Sequence, residues 1–338
     1  MNKNQKGLAV FEGLLFLMLV GILGFAGRQV YQSQEKTNTI YDNVVISEPR
    51  EDYSLTRIVA AGDVACDPGS IYLNVNDPSH CQSKATAALF ASLKPDAILA
   101  LGDLQYEDGD FDKFKASYDK DWGIYKSKTY PAAGNHEYNT PWASGYFSYF
   151  NEGQTSGRAG ENRKGYYSLD IGEWRIIALN SNCQEVGGCG ENSDQYKWLK
   201  QNLTENQSSC TLAFWHHPHF SSGRYANDKA SAQLSAPFWE LLSQHKADVV
   251  LNGHDHLYER FSTLNTDGTP SAAGIRQFTV GTGGKSLYKQ TAKNPGSERM
   301  IDDRFGVLSL DLSGEAYKWQ FVATGGEILD SGTGQCNT

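Results

Sequence analysis

DVVLNGHDH, residues 248–256, is a short apolar run closed by Asn252 and Gly253 and followed by two histidines, His254 and His256. Its length and β-branched content read as a buried strand, and Gly253 marks where the chain turns out of it. Side chains two apart on a strand share a face, and in the loop beyond it both imidazoles can turn to one point. Four earlier stretches repeat the design in chain order: RIVAAGD (57–63), AILALGD (97–103), TYPAAGN (129–135) and TLAFWHH (211–217). They end on Asp63, Asp103, Asn135 and His216 with His217. Strand ends that deliver polar groups to one rim are how an α/β sandwich assembles a site.

Helical patterns lie between these strands at SKATAALFASL (83–93), SDQYKWLKQNL (193–203) and SAPFWELLSQHK (235–246). The alternation predicts a largely parallel central region. The later runs RQFTVGTGG, FGVLSLDLSG and AYKWQFVATGG have turn residues but no long helix between them, so they are expected to pair antiparallel. YYSLDIGEWRIIALN reads as a hairpin turning at Gly172. The expected fold is therefore α/β, two packed mixed β-sheets flanked by helices, in one catalytic domain spanning 55–338. No Pro/Ser-rich linker divides residues 55–330.

The 338 residues are 39% hydrophobic and carry a formal net charge of -9, with acidic and basic residues interspersed. That balance argues against a nucleic-acid backbone as partner. A small phosphorylated molecule stays compatible, because local metal charge outweighs the global sign. The six cysteines form no C-x-x-C pair, which argues against structural zinc. Cys66 with Cys81 and Cys183 with Cys189 lie close together in Gly/Pro/Asn-rich loops and read as disulfides, leaving Cys210 to Cys336. Disulfides place the domain in an oxidising, exported setting.

Residues 8–26 are almost all apolar or glycine, about the length of a membrane-crossing helix, and Lys3 and Lys6 precede them. The expectation is an anchor over 1–30 with a cytoplasmic N-terminus, a polar linker over 31–54 and an extracytoplasmic catalytic domain. Lys6-Gly7-Leu8-Ala9-Val10-Phe11-Glu12 resembles a type IV prepilin leader, in which cleavage follows the glycine and a Glu sits five residues into the mature chain. That resemblance implies a pilus-like assembly as a partner. An uncleaved signal anchor or a removable secretory signal reads the same segment differently, and all three export the domain.

Two carboxylates, an amide oxygen and three imidazoles suit borderline or hard transition ions such as zinc, manganese or iron. A carboxylate at a strand end can bridge two cations at the roughly 3.5 to 4 Å that two-metal hydrolysis uses. In their order, Gly62-Asp63, Gly102-Asp103 with Tyr106, Gly134-Asn135-His136-Glu137, His216-His217-Pro218 and Gly253-His254-Asp255-His256 resemble the calcineurin-like metallophosphoesterases, and in particular their purple acid phosphatase branch. The resemblance runs from Arg57 to Val322, and GHDHLYER and GTGG fit bacterial secreted members. It implies a four-layer sandwich. Many such enzymes open with Asp-x-His, whereas Ala65 here cannot ligate. The purple branch uses a Tyr three residues after the bridging Asp, and Tyr106 stands there.

Carried over, the resemblance implies one metal held by Asp63, Asp103, Tyr106 and His256, and a second by Asp103, Asn135, His216 and His254. A phenolate favours Fe(III) at the Tyr106 site, with Fe, Zn or Mn beside it. A hydroxide bound to the metals is then the nucleophile for a phosphate ester. His136 is placed to meet substrate oxygens or protonate the leaving alcohol, with Glu137 orienting it. His219 and Arg224 follow the His-x-Pro block and could contact phosphate. A further family histidine expected eight to ten residues beyond that block is missing, since Tyr225 and Ala226 stand there, and His217 reads as a packing residue. The function read from all this is phosphomonoester hydrolysis. Its rivals are a phosphodiesterase or nucleotidase at the same site, and a pilin-like subunit with a non-catalytic phosphoesterase scaffold.

Overall fold

The computed structural model describes residues 55–73, 77–205 and 208–337. The expected leader and anchor over 1–30 and linker over 31–54 lie outside the described residues. Among the described residues, no helix is long and apolar enough to cross a membrane.

In chain order the elements begin β1 (Thr56–Ala61), α1 (Ser83–Leu93), β2 (Ala97–Leu101), α2 (Phe111–Ala116), α3 (Tyr118–Asp121), β3 (Thr129–Ala132) and α4 (Ser144–Phe150). A small hairpin of β4 (Ser156–Gly157) and β5 (Gly160–Glu161) leads to β6 (Tyr167–Ile171), β7 (Trp174–Ala178), α5 (Asp194–Glu205), β8 (Cys210–Phe214), α6 (Lys229–Gln244) and β9 (Val249–Asn252). The chain continues through β10 (Tyr258–Leu264), β11 (Ile275–Val280), β12 (Ser297–Ile301), β13 (Gly306–Leu312), β14 (Ala316–Ala323) and β15 (Ile328–Gln335).

Two sheets carry the fold. One has six strands in the order β15-β14-β13-β1-β2-β3, the other seven in the order β12-β10-β11-β9-β8-β7-β6. They pack face to face because alternate residues of each strand point to opposite sides. Trp174, Ile176, Cys210, Leu212, Phe214, Val249 and Leu251 join Ile58, Ile98, Leu99 and Leu308 in one shared core. The intervening Ile177, Ala213 and Val250 face outward and meet Leu199 and Leu203 of α5 and Phe238, Trp239 and Leu242 of α6 in a second core. Strands covered on both faces are apolar almost throughout, which is why the runs before the polar blocks show no alternation.

The hairpin turning at Gly172 forms as expected, with β6 and β7 antiparallel and Gly172 at φ 58°. The three helices also form, although α6 starts at Lys229, six residues before the apolar pattern, and carries Pro237 inside it. One strand expectation needs correction. β13 and β14 pair antiparallel, but β11 pairs antiparallel only with β10 and runs parallel to β9. The chain leaves β9, skips a place to form β10, and returns in the gap between them.

All three pairs of cysteines are disulfides: Cys66–Cys81, Cys183–Cys189 and Cys210–Cys336. The last closes the longest loop, with a sequence separation of 126, and ties the end of β15 to β8. In the chain-entropy model a loop of that size is stabilised by about 5 kcal/mol. Cys336→Ser is therefore expected to lower the urea midpoint more than opening Cys183–Cys189, whose loop of 6 predicts about 2 kcal/mol.

Candidate metal centre

β1, β2 and β3 are parallel neighbours, as are β8 and β9 in the facing sheet. The two sets end at one rim, where His254 N donates to Asp63 Oδ2 (2.8 Å) and His216 Nδ1 meets Leu101 O (2.9 Å) across the sheets. The pairing continues past the strands: Asp63 N donates to Gly102 O (3.0 Å) and Val64 N to Asp103 O (2.9 Å), which holds the two carboxylate-bearing loops in register. Asp63, Asp103 and His254 all adopt left-handed backbone, with φ 61°, 51° and 67°. Non-glycine residues there cost energy unless their surroundings fix them, and they concentrate at functional sites. Gly102 is required twice over: its φ is 86°, and a Cβ on it would lie 2.6 Å from His216 Nδ1.

The histidines converge through different nitrogens. His216 directs Nδ1 to the carbonyl of Leu101 (2.9 Å), which leaves Nε2 facing inward, 3.2 Å from Asp103 Oδ2 and 3.2 Å from Asn135 Oδ1. His254 presents Nδ1, 3.2 Å from His216 Nε2. His256 uses Nε2, 3.2 Å from Asp63 Oδ1, and anchors Nδ1 on Ser286 Oγ at 3.1 Å. A carbonyl or hydroxyl on the far nitrogen fixes ring orientation, as at metal-ligating histidines generally.

Tyr106 closes the cluster. Its hydroxyl lies 2.8 Å from Asp63 Oδ1, 3.1 Å from Asp103 Oδ2 and 3.0 Å from His256 Nε2. Burial, then the Asp103 and Asp63 carboxylates, hold the phenol well above its usual range. Burial also works against charge on His216, yet Asp103 raises it to about 9, while burial and the neighbouring His217 and His216 hold His254 well below its usual value. Asp103 is kept well below the usual carboxylate range by His216, His136 and His254 against the cost of burial.

The donor set fits metal ions. Neighbouring ligands on an ion with bonds of about 2.0 to 2.2 Å stand about 3 Å apart, the spacing found throughout this cluster. Two carboxylates, an amide oxygen, a phenol and three ring nitrogens aimed at common points inside the protein are costly without cations to satisfy them. Asp63, Asp103 and His216 have ligand atoms within 4.8 Å of one another, as do His216, His217 and His254.

The sequence matches the calcineurin-like phosphoesterase family over residues 56–258. The chain belongs to that family. Among its relatives, purple acid phosphatase 23 of Arabidopsis thaliana is 30% identical over 57% of this chain and 43% of its own length. A probable cyclic nucleotide phosphodiesterase of Synechococcus is 34% identical over 50% of this chain and 62% of that protein. The purple acid phosphatase PPD1 from yellow lupin seeds shares the fold at a TM-score of 0.63 and 19% identity, covering 82% of this chain and 53% of that one. The chain thus spans less than half the length of the first plant relative and about half of the lupin enzyme.

In this family member, Asp63, Asp103, Tyr106, Asn135, His216, His254 and His256 all meet at one place. His136 stands beside them, with Nε2 3.9 Å from Asp103 Oδ2 and Nδ1 on the carbonyl of Glu107 (2.7 Å). The expected pairing of Glu137 with His136 is not what forms. Glu137 is fully buried and accepts from the backbone N–H groups of Asp103, Leu104, Gln105 and Gly134. His219 also departs from expectation: it is not brought to the cluster. Its Nδ1 meets Ala232 O and Ser235 Oγ on α6, and its ring lies against Trp239. Burial pushes this imidazole down to about 4, leaving it neutral.

Arg224 is exposed at the rim, its guanidinium 4.7 Å from the centre of the Tyr288 ring. Residues with no sequence signal complete the surroundings. Tyr225 stacks on His254 at 3.9 Å and Tyr288 on His256 at 4.0 Å. The buried Asp255 accepts from Ser221 Oγ and the N–H groups of Arg224 and Tyr225, fixing the loop that carries both. His217 lies nearer the cluster than a packing residue need be, its ring 4.4 Å from that of His254, with Nδ1 taken by Ser181 Oγ.

Proposed function

We propose that this phosphoesterase hydrolyses phosphate monoesters at a dinuclear centre of the purple acid phosphatase type. The observation that supports this branch most is the Tyr106 hydroxyl, set within 3.1 Å of Asp63, Asp103 and His256. In this reading Asp63, Asp103, Tyr106 and His256 hold Fe(III), and Asp103, Asn135, His216 and His254 hold Fe, Zn or Mn. The ions supply charge neutralisation of phosphoryl oxygens and a lowered pKa for water. His136, anchored through Nδ1 on Glu107, holds or delivers a proton at Nε2 towards the leaving alcohol. Arg224, steadied over Tyr288, meets phosphate oxygens at the rim.

Tyr106→Phe is expected to keep the fold and to remove a phenolate-to-iron absorption band from the purified protein. A wild-type protein that is colourless and holds only zinc would contradict the Tyr106 assignment. The Synechococcus relative favours one second reading, a phosphodiesterase. Rates on 4-nitrophenyl phosphate and bis(4-nitrophenyl) phosphate separate the two, and a strong preference for the diester would overturn the monoesterase reading. The three disulfides support export, and an anchor at residues 1–30, with or without a pilus-like assembly, completes the proposal.

A further inference from the structure

The two sides of the cluster offer opposite chemistry. On the side of His256, the stacked Tyr288 carries the Arg224 guanidinium, which suits anionic phosphoryl oxygens. On the side of His216, a cavity of about 290 Å³ opens between Asn135 and His217, near the lower size of small-molecule sites. The other recess touching the cluster, beside His254 and His219, is about 60 Å³ and has room for a few waters only. Of these two recesses, the one beside Asn135 and His217 has the size to take the alcohol of an ester whose phosphoryl group sits among the cluster's ligands.

That cavity offers acceptors. Asn182 uses both amide N–H groups on Ala133 O and Asn180 Oδ1, and Asn139 uses one of its two on Glu107 O, so the carbonyl oxygens of both face a ligand as acceptors. The far wall is the loop closed by Cys183–Cys189, which contributes Gln184 and the exposed carboxylate of Glu185. Among the described residues, no lysine or arginine lines the cavity. Acceptors with one negative charge and no cation welcome hydroxyl or ammonium donors and repel carboxylate or phosphate.

We infer that this cavity receives the leaving group and selects hydroxyl-bearing alcohols of neutral or positive charge over anionic ones, with Glu185 as the specificity-determining residue. The inference rests on the phosphomonoesterase reading. It goes beyond it by naming the substrate class.

Glycerol 3-phosphate and 3-phosphoglycerate share a three-carbon skeleton and differ in a carboxylate on the leaving group, so they isolate the charge. Wild-type kcat/KM is expected to favour glycerol 3-phosphate by about tenfold or more. Glu185→Lys, at an exposed position, should bring the ratio within about twofold, and Glu185→Gln should fall between. Measurable hydrolysis of 4-nitrophenyl phosphate by both variants shows that each is folded and competent, and the quantity that decides is the ratio between the two three-carbon esters. A ratio near one in the wild type, or a ratio untouched by Glu185→Lys, with 4-nitrophenyl phosphate still hydrolysed, overturns this inference alone. No hydrolysis of 4-nitrophenyl phosphate by the wild type overturns the monoesterase reading and this inference with it.

Discussion

Asp103→Asn is expected to lower kcat/KM for 4-nitrophenyl phosphate by about 10³-fold or more and to cut bound metal to one ion per chain or fewer. Asp103 reaches both halves of the cluster through a single oxygen: Oδ2 lies 3.2 Å from His216 Nε2 and 3.1 Å from the Tyr106 hydroxyl. Its other oxygen accepts from His136 N at 2.8 Å, so it also sets the loop bearing Asn135 and His136. Asparagine keeps the shape and one accepting oxygen but removes the charge that would offset the two proposed cations. The fold should survive, since the backbone pairing around residue 103 remains. Metal analysis and steady-state kinetics on the same preparation check this, and activity within tenfold of the wild type would sink the bridging role.

Glu137→Ala should be the most destabilising single change at the site, by about 3 to 5 kcal/mol, with activity lost as well. The Glu137 carboxylate binds N–H groups of Gly134 (2.7 Å), Leu104 (2.8 Å), Asp103 (2.9 Å) and Gln105 (3.3 Å). It joins the loop after β2 to the loop after β3. Burial, then the Asp103 charge, push this carboxyl up to about 7, and the backbone donors work in the other direction. Without it, several buried N–H groups lose their acceptor, and each unsatisfied group costs about 1 to 3 kcal/mol before water fills part of the gap. Urea denaturation measures the change. A loss below about 1 kcal/mol would mean that the parallel pairing of the loops suffices to hold them.

Much of this architecture is legible from five strand-then-polar blocks, because strands buried on both faces read as apolar runs and their ends must carry the polar groups. Six of the seven candidate ligands stand at the ends of those blocks, Tyr106 is added by the family resemblance, and all seven converge. The placement of β11 was not legible, because its own residues do not say which neighbour it will find; the excursion through β10 decides that. Glu137 and His219 show the limit at the site. Adjacency to His136 suggested an acid–base pair, but successive side chains in a tight turn diverge, and the carboxylate turned to the backbone N–H groups. His219 lies three residues past His216, yet α6 captures its ring. Tyr225 and Tyr288 lie in loops whose courses depend on Asp255, His256 and Ser222, so their stacking on the two histidines had no local signal.

Titrating metal back into the chelated catalytic domain while following 4-nitrophenyl phosphate hydrolysis tests the central claim most directly. Two cooperating ions predict that activity is negligible in the metal-free protein and saturates at two equivalents per chain. Saturation at one equivalent, or full activity with none bound, would contradict a dinuclear phosphoesterase site at Asp63, Asp103, Tyr106, Asn135, His216, His254 and His256.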